Sequence, residues 1–116
     1  MIMIKNFLET KSKKEIHEIL IKLIELTANK KIHWYIENDM TKIIAYLSHY
    51  EIIISDHGLV IKNEKDNFIR LIISDEILSE YELEMNKLFE IIKKNYLSNK
   101  EENFLEKIHK DFMSYN

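Results

Sequence analysis

Five histidines are the first candidates for chemistry in this chain, because imidazole is both a common metal ligand and a common proton-transfer group. They stand at positions 17, 33, 49, 57 and 109. A helical zinc site of the HExxH kind needs two histidines four residues apart, and no pair here has that spacing. We therefore interpret the histidines as turn and edge residues. A metal-dependent hydrolase built on histidines and carboxylates stays as a third, less favoured hypothesis.

Ser55-Asp56-His57 contains the residue types of a hydrolytic triad in consecutive positions. Triads are spatial arrangements, whereas neighbouring residues of a strand point to opposite faces of the sheet. No glycine-flanked elbow surrounds the serine. The segment is more typical of a turn, and we assign no catalytic, cofactor-binding or metal-ligating residue.

A dense acidic cluster marks the start of a predicted helix and consists of Asp75, Glu76, Glu80, Glu82 and Glu84. Such a cluster could imitate nucleic-acid phosphates and occupy a basic channel on another protein. The commoner interpretation is a helix N-terminus stabilised by its dipole, with a solvated outer face. Both interpretations stay open.

The predicted sheet offers a second candidate surface, with Tyr46, Lys62, Phe68 and Arg70 as its partner-binding candidates. Strict alternation places these four with Ile53, Val60 and Ile72 on the face opposite the core. That face is too apolar to be simply solvated. Either the third helix covers it, or it binds a partner or a second copy of the chain through aromatic and arginine anchors. A stacking platform for single-stranded nucleic acid would need more positive charge.

The amino-acid composition excludes several classes of mechanism. The chain has one glycine, no proline and no cysteine, which excludes glycine-rich phosphate loops, thiol chemistry and sulfur-ligated metals. The formal net charge of −3 argues against direct nucleic-acid binding as its role, since nucleic-acid binders normally carry a strongly basic surface. No apolar run approaches the roughly 20 residues that span a bilayer. Because the N-terminal Met1-Ile2-Met3-Ile4-Lys5 has no basic region before its apolar residues, we expect a cytoplasmic protein.

Three amphipathic helices are predicted from caps and periodicity. Ser12 and Glu15 have capping-box spacing, which predicts a helix at about 13–28 with Asn29 as a left-handed exit. Ser79 and Glu82 repeat the spacing and predict a helix at about 80–97. Asn99 with Glu102 predicts a third helix at about 100–114.

Between the first two helices the apolar period changes to two, which is typical of strands. The connections are too short for crossover helices, so the strands must pair antiparallel, with Gly58 in one hairpin. We expect one α+β domain over residues 1–116. Its sheet is expected to be an antiparallel four-stranded β-meander at about 32–73, with one helix before it and two after it.

The middle of the chain resembles a diffuse group of short phage and plasmid accessory proteins. The segments that carry the likeness are Lys31-Ile32-His33-Trp34, Ala45-Tyr46-Leu47 and Tyr50-Glu51-Ile52-Ile53-Ile54-Ser55. That group has a glycine before its last strand, where this chain has Asn63-Glu64-Lys65-Asp66-Asn67, and the third helix is an addition. The resemblance implies no catalytic residues. It implies a mobile-element protein, a class that includes inhibitors of host defence such as anti-CRISPR proteins.

These observations favour a non-enzymatic interaction protein that occludes a surface or channel of a host defence nuclease complex. The alternative is a homo-oligomeric sponge that binds a nucleotide messenger through Lys62, Arg70 and the nearby aromatic residues. No cofactor and no membrane partner is expected in either case.

Overall fold

The computed structural model of the protein describes residues 12–37 and 41–113. The N-terminal segment Met1 to Lys5 and residue 114, the expected end of the third helix, lie outside the described residues. The helices are α1 (Lys13–Ala28), α2 (Asp75–Leu78), α3 (Glu82–Tyr96) and α4 (Asn99–Met113), with a 3₁₀ turn at Ser79–Tyr81. The strands are β1 (Trp34–Ile36), β2 (Lys42–Leu47), β3 (Tyr50–Ser55), β4 (Gly58–Asn63) and β5 (Ile69–Ser74). The α+β class and the order of elements are confirmed.

Within residues 12–37 and 41–113, the sheet has five strands in the order β1-β2-β3-β4-β5, all antiparallel. The expected number of four was wrong because β1, only three residues long, is a separate strand with its own register on β2. Two-residue turns join β2 to β3 and β3 to β4, since Leu47 pairs with Tyr50 and Ser55 pairs with Gly58. Each strand therefore lies beside its neighbour in sequence.

The start of α1 agrees with its capping box. The Ser12 hydroxyl accepts from the Glu15 amide at 3.2 Å, and the Glu15 carboxylate accepts from the Ser12 amide at 3.3 Å. The predicted left-handed exit at Asn29 is wrong by one residue, since Asn29 has φ −87° and Lys30 has φ 58°. The Lys31 amide then donates to the Leu26 carbonyl at 2.8 Å. Closing the last turn in this way requires the left-handed residue to follow the cap.

The chain between β5 and α3 differs from the predicted capping box at Ser79 and Glu82. The helical path begins at α2, where the Ser74 hydroxyl accepts from the Ile77 amide at 3.3 Å. Ser79 is buried, and its hydroxyl donates to the Glu76 carbonyl at 2.6 Å. Its backbone is itself helical, with φ −61° and ψ −22°, whereas an N-cap residue is extended. Its spacing to Glu82 reflects a tight 3₁₀ turn within an already helical path.

The cap of α4 also lies one residue before the predicted one. The Ser98 hydroxyl accepts from the Glu101 amide at 3.4 Å, and the Glu101 carboxylate accepts from the Ser98 amide at 2.9 Å. Asn99 is the first helical residue. The serine is the better cap because its short hydroxyl reaches the third helical amide, and the glutamate completes the reciprocal bond.

One hydrophobic core holds the helices against a single face of the sheet. It includes Leu20 and Leu23 of α1, Phe89 and Ile92 of α3, and residues of all five strands or their flanks. Trp34 is fully buried, and its indole donates to the Thr27 hydroxyl at 2.9 Å. The Thr27 hydroxyl donates in turn to the Leu23 carbonyl at 2.6 Å. This chain of bonds satisfies both buried polar side chains and fixes β1 against α1.

Candidate interaction surfaces

A continuous apolar row crosses the sheet on the face away from the core. The strand registers place its members opposite one another, one from each strand. We call this row the outer stripe, and it consists of Tyr35, Ile44, Ile53, Val60 and Ile72. None of these residues belongs to the core that the described helices form with the sheet. The sheet is therefore apolar on both faces.

Exposure varies along the outer stripe. Tyr35 is 38% exposed and Ile44 only 2%, while Ile53, Val60 and Ile72 are half-buried. Tyr35 is also stacked on Tyr46, with ring centroids 6.1 Å apart. Tyr35 and Ile44 were not among the candidates predicted from the sequence. The alternation of Tyr35 with Trp34 and Ile36 nevertheless indicates that Tyr35 lies on the face opposite the core.

A polar row lies beside the outer stripe and consists of Tyr46, Glu51 and Lys62, which are paired across β2, β3 and β4. The Tyr46 hydroxyl donates to the Glu51 carboxylate at 2.9 Å, and the Lys62 ammonium lies 3.4 Å from it. Hydrogen bonding with Tyr35 and then with Glu51 holds the pKa of the Tyr46 hydroxyl well above its usual range. The charge of Lys62 is thus compensated within the chain.

Phe68 and Arg70 do not lie in the predicted register with Lys62 of β4. A register shift between Ile61 and Lys62 adds one residue to β5, so that Ile69 lies opposite Lys62. Strict alternation failed here because a bulge sets two residues against one and inverts the faces beyond it. Arg70 instead pairs with Asp66 and lies over the Phe68 ring, 5.9 Å from its centroid.

The acidic cluster is divided between structural contacts and solvent. Glu84 lies 3.0 Å from the His17 imidazole and Glu80 lies 3.9 Å from the Lys13 ammonium, so both face α1. Glu76 and Glu82 are exposed. The Asp75 amide donates to the His57 carbonyl at 3.1 Å, which ties the start of α2 to the β3–β4 turn. The structure does not gather the five carboxylates into one phosphate-like array.

The third predicted helix, α4, joins the core rather than the outer face. Its buried residues Leu105, Ile108 and Phe112 belong to the same cluster as the inner side of the sheet. Phe112 packs near Phe89 of α3, with ring centroids 6.0 Å apart. Because α4 packs on the inner side of the sheet, it does not cover the outer stripe.

An open cleft of about 550 Å³ separates α4 from the end of the sheet. Its lining combines basic, acidic and apolar side chains: Thr41, Lys42, Ser55, Asp56, His57, Phe104, Lys107, Ile108 and Asp111. Lys42 is 3.5 Å from Glu37, and His57 is 3.5 Å from Asp56. Charges of both signs are interleaved here, so the cleft has no consistent preference for an anion or a cation.

The histidines occupy separate environments. His17 contacts Glu84, His33 packs edge-on against Tyr96, and His109 packs against Phe89. Within residues 12–37 and 41–113, no three histidine, aspartate or glutamate side chains come together in a metal-binding arrangement. Ser55-Asp56-His57 forms the β3–β4 turn, in which the Ser55 hydroxyl accepts from the His57 amide at 3.2 Å.

No protein-family model matches the chain, and no curated protein or solved structure matched it in the comparisons made. In the part of the chain that the structure describes, no helix is long and apolar enough to cross a membrane. The surfaces above must therefore be interpreted from their own chemistry.

Proposed function

We propose that this chain is a non-enzymatic interaction protein whose outer sheet face binds and occludes a larger protein. The observation that carries the proposal is the outer stripe, an apolar row across all five strands that lies outside the core. Following the resemblance to mobile-element accessory proteins, the target we propose is a host defence protein that handles nucleic acid.

The chemistry of the outer face suits a protein surface. Tyr35 and Tyr46 present stacked rings of 38% and 41% exposure at one end of the apolar row. Exposed tyrosines beside aliphatic residues are the composition that concentrates binding energy at protein interfaces. Because Glu51 compensates Lys62, the adjoining row carries no net positive charge with which to attract phosphates.

The two other binding hypotheses have less support from the geometry. Mimicry of phosphates through the acidic cluster would use Glu80 and Glu84, whose carboxylates already face Lys13 and His17. A nucleotide sponge would use Lys62 and Arg70 together, yet each is paired with its own carboxylate. The bulge in β5 also displaces Arg70 from the position opposite Lys62.

The proposal is tested by binding with a matched pair of surface variants. The immobilised chain is used to recover a partner from a nuclease-treated bacterial lysate, and the purified partner is then titrated. Ile53→Lys, in the middle of the outer stripe, is expected to weaken binding by about ten-fold or more. Leu83→Lys is the control, since Leu83 is 77% exposed on α3, away from the sheet.

The outcomes separate the hypotheses. Affinity lost in Ile53→Lys and kept in Leu83→Lys supports the outer face. Equal affinity of Ile53→Lys and wild type contradicts it, as does recovery of the chain alone. Loss of affinity only in Glu76→Gln with Glu82→Gln would favour the acidic surface. A thermal shift with a panel of cyclic and linear nucleotides would favour the sponge.

A further inference from the structure

The outer edge of β5 has the features of a strand that pairs with another strand. Among the described strands, β5 is six residues long and lies at one edge of the sheet, whereas the opposite edge strand β1 has three residues. It contains no proline or lysine, the residues that commonly protect exposed edges. Its sequence Ile-Arg-Leu-Ile-Ile-Ser is apolar on both faces, so a strand added there would extend both apolar layers.

The hydrogen-bond pattern shows which backbone groups face outward. The Asp75 amide donates to the His57 carbonyl, and this pair has the same register as Ile73 with Leu59 and Ile72 with Val60. Hydrogen-bonded and non-hydrogen-bonded pairs alternate in an antiparallel ladder. Ile73 therefore bonds to β4, while the N–H and C=O of Ile72 point away from the sheet.

The two ends of β5 carry complementary groups. Arg70 and the 64% exposed Phe68 lie at its N-terminal end. Glu76, which is exposed, and Ile77, which is 38% exposed, follow its C-terminal end. Antiparallel pairing of two identical strands brings unlike ends together, whereas parallel pairing would bring like ends together. The charges thus select the antiparallel arrangement, and the exposed apolar side chains are compatible with it.

We infer that the edge of β5 pairs antiparallel with β5 of a second copy of this chain, in a two-fold dimer centred on Ile72. In that register the two Ile72 residues exchange backbone hydrogen bonds, and Arg70 lies opposite Ser74 of the partner subunit. Phe68, which precedes β5, then lies towards the partner's α2, which contains Glu76. Because the register keeps each residue on its own face, Leu71 and Ile73 stay on the inner side.

The two neighbouring registers that also preserve the faces are centred on Leu71 and on Ile73. The first would place the bulged Arg70 inside the paired segment, opposite Ile72 of the partner subunit. The second would pair only Ile72 to Ser74, because α2 begins at Asp75. The Ile72-centred register instead brings Arg70 near the partner's Glu76. The guanidinium of Arg70 has five N–H donors, so it can keep its pair with Asp66 while it contacts a second carboxylate.

The bulge limits the size of this interface. It inserts Arg70 as an extra residue opposite β4, which bends the strand and leaves a short regular segment from Leu71 to Ser74. The backbone contribution is therefore small, and the charged contacts at both ends carry much of the specificity. We expect a reversible dimer that weakens as salt increases.

The test is a charge exchange between two variants, Arg70→Glu and Glu76→Lys. Each variant alone places two like-charged contacts in its dimer, and its dissociation constant is expected to rise about ten-fold. A mixture of the two variants restores both opposite-charge contacts, so a heterodimer of near wild-type affinity is expected. Sedimentation velocity over a concentration series measures the affinities, and native mass spectrometry with one tagged variant identifies the heterodimer.

Each outcome decides the inference. Restored pairing in the mixture supports it, since loss of the internal Arg70–Asp66 pair cannot be repaired by a second chain. A wild-type chain that stays monomeric throughout the series overturns it, and so does a mixture no tighter than the separate variants. If Arg70→Glu fails to fold by circular dichroism, Glu76→Lys is compared with Glu76→Gln. Weaker dimerisation of the lysine variant then supports the inference, and wild-type dimerisation of both overturns it.

Discussion

Gly58 is the position at which this fold has no room for a side chain. Its φ is 127°, and a Cβ built there would lie 2.2 Å from the Ile73 carbonyl oxygen and 2.9 Å from the Asp75 amide. The close approach arises because β5 leads into α2 directly beside the β3–β4 turn. The sequence predicted Gly58 as a hairpin residue, and the structure places it as the first residue of β4, after the two-residue turn.

Gly58→Ala is expected to destabilise the protein by at least about 3 kcal/mol, because it adds both backbone strain and a clash with main-chain atoms. Urea unfolding followed by circular dichroism measures the change. His57→Ala, at an exposed neighbouring position, is the control and should change stability by less than about 0.5 kcal/mol. Similar stabilities of the two variants would contradict this role of Gly58.

Asn67 shows how the β4–β5 turn forms without glycine. Its φ is 61°, a left-handed conformation that asparagine tolerates. The Asn63 side chain accepts from the Lys65 amide at 2.9 Å, and the Asp66 carboxylate accepts from the Phe68 amide at 2.9 Å. That amide, together with Arg70, holds the pKa of the Asp66 carboxyl below its usual range. Side-chain hydrogen bonds thus replace the glycine of similar turns.

At the scale of elements, α4 is joined to α3 by apolar contacts around one unsatisfied histidine. His109 packs against Phe89 with ring centroids 5.0 Å apart, and its buried Nε2 has no hydrogen-bond partner in the described structure. Burial and then the positive charge of Lys93 lower the pKa of His109, while Glu82 and Glu90 act in the opposite direction. The neutral imidazole is therefore the form that suits this interface.

We expect His109 to make the protein less stable as pH falls below about 6.5, the ordinary pKa of histidine. In that range the unfolded chain binds a proton at this position and the native chain resists it, so unfolding is favoured. Above this range the two states bind protons equally and the contribution is constant.

The measurement is urea unfolding of wild type and His109→Leu from pH 7.5 down to pH 5. Subtracting the stability curve of His109→Leu from that of wild type removes the contribution of groups common to both, including the His17–Glu84 pair. A positive slope of the difference with pH identifies His109. Parallel curves would show that α4 packing does not depend on its protonation.

At the scale of the whole molecule, the sheet separates a core face from a second apolar face. Ile54 is fully buried beneath the helices, whereas its neighbour Ile53 is half-buried in the outer stripe. The two residues have the same side chain on the same strand and differ only in the face that they occupy. They therefore form a natural comparison of the two layers.

Ile54→Lys is expected to prevent folding or cost more than about 4 kcal/mol, because it buries an unpaired charge in a close-packed core. Ile53→Lys should stay folded and lose less than about 2 kcal/mol. Thermal melts by circular dichroism and one-dimensional proton spectra measure both. Equal loss of structure in the two variants would show that the outer stripe is a second structural core rather than a binding face.

Local patterns predicted most of the fold. The capping box at Ser12 and the two-residue alternation specified α1 and the antiparallel sheet, since both depend on contacts within a few residues. The errors arose where neighbouring elements compete for the same groups. Ser79 has capping spacing but bonds to Glu76 within a 3₁₀ turn, and Phe68 and Arg70 alternate correctly until the bulge shifts their register.

By itself, the sequence determined the α+β class, the antiparallel order and the poverty of chemical motifs, because periodicity and composition are properties of the chain. The tertiary structure alone decided which surfaces are available. It placed α4 on the core side, divided the acidic cluster between α1 and solvent, and aligned one apolar residue from each strand into the outer stripe. Those outcomes depend on strand register and helix packing, which arise from contacts between residues far apart in sequence.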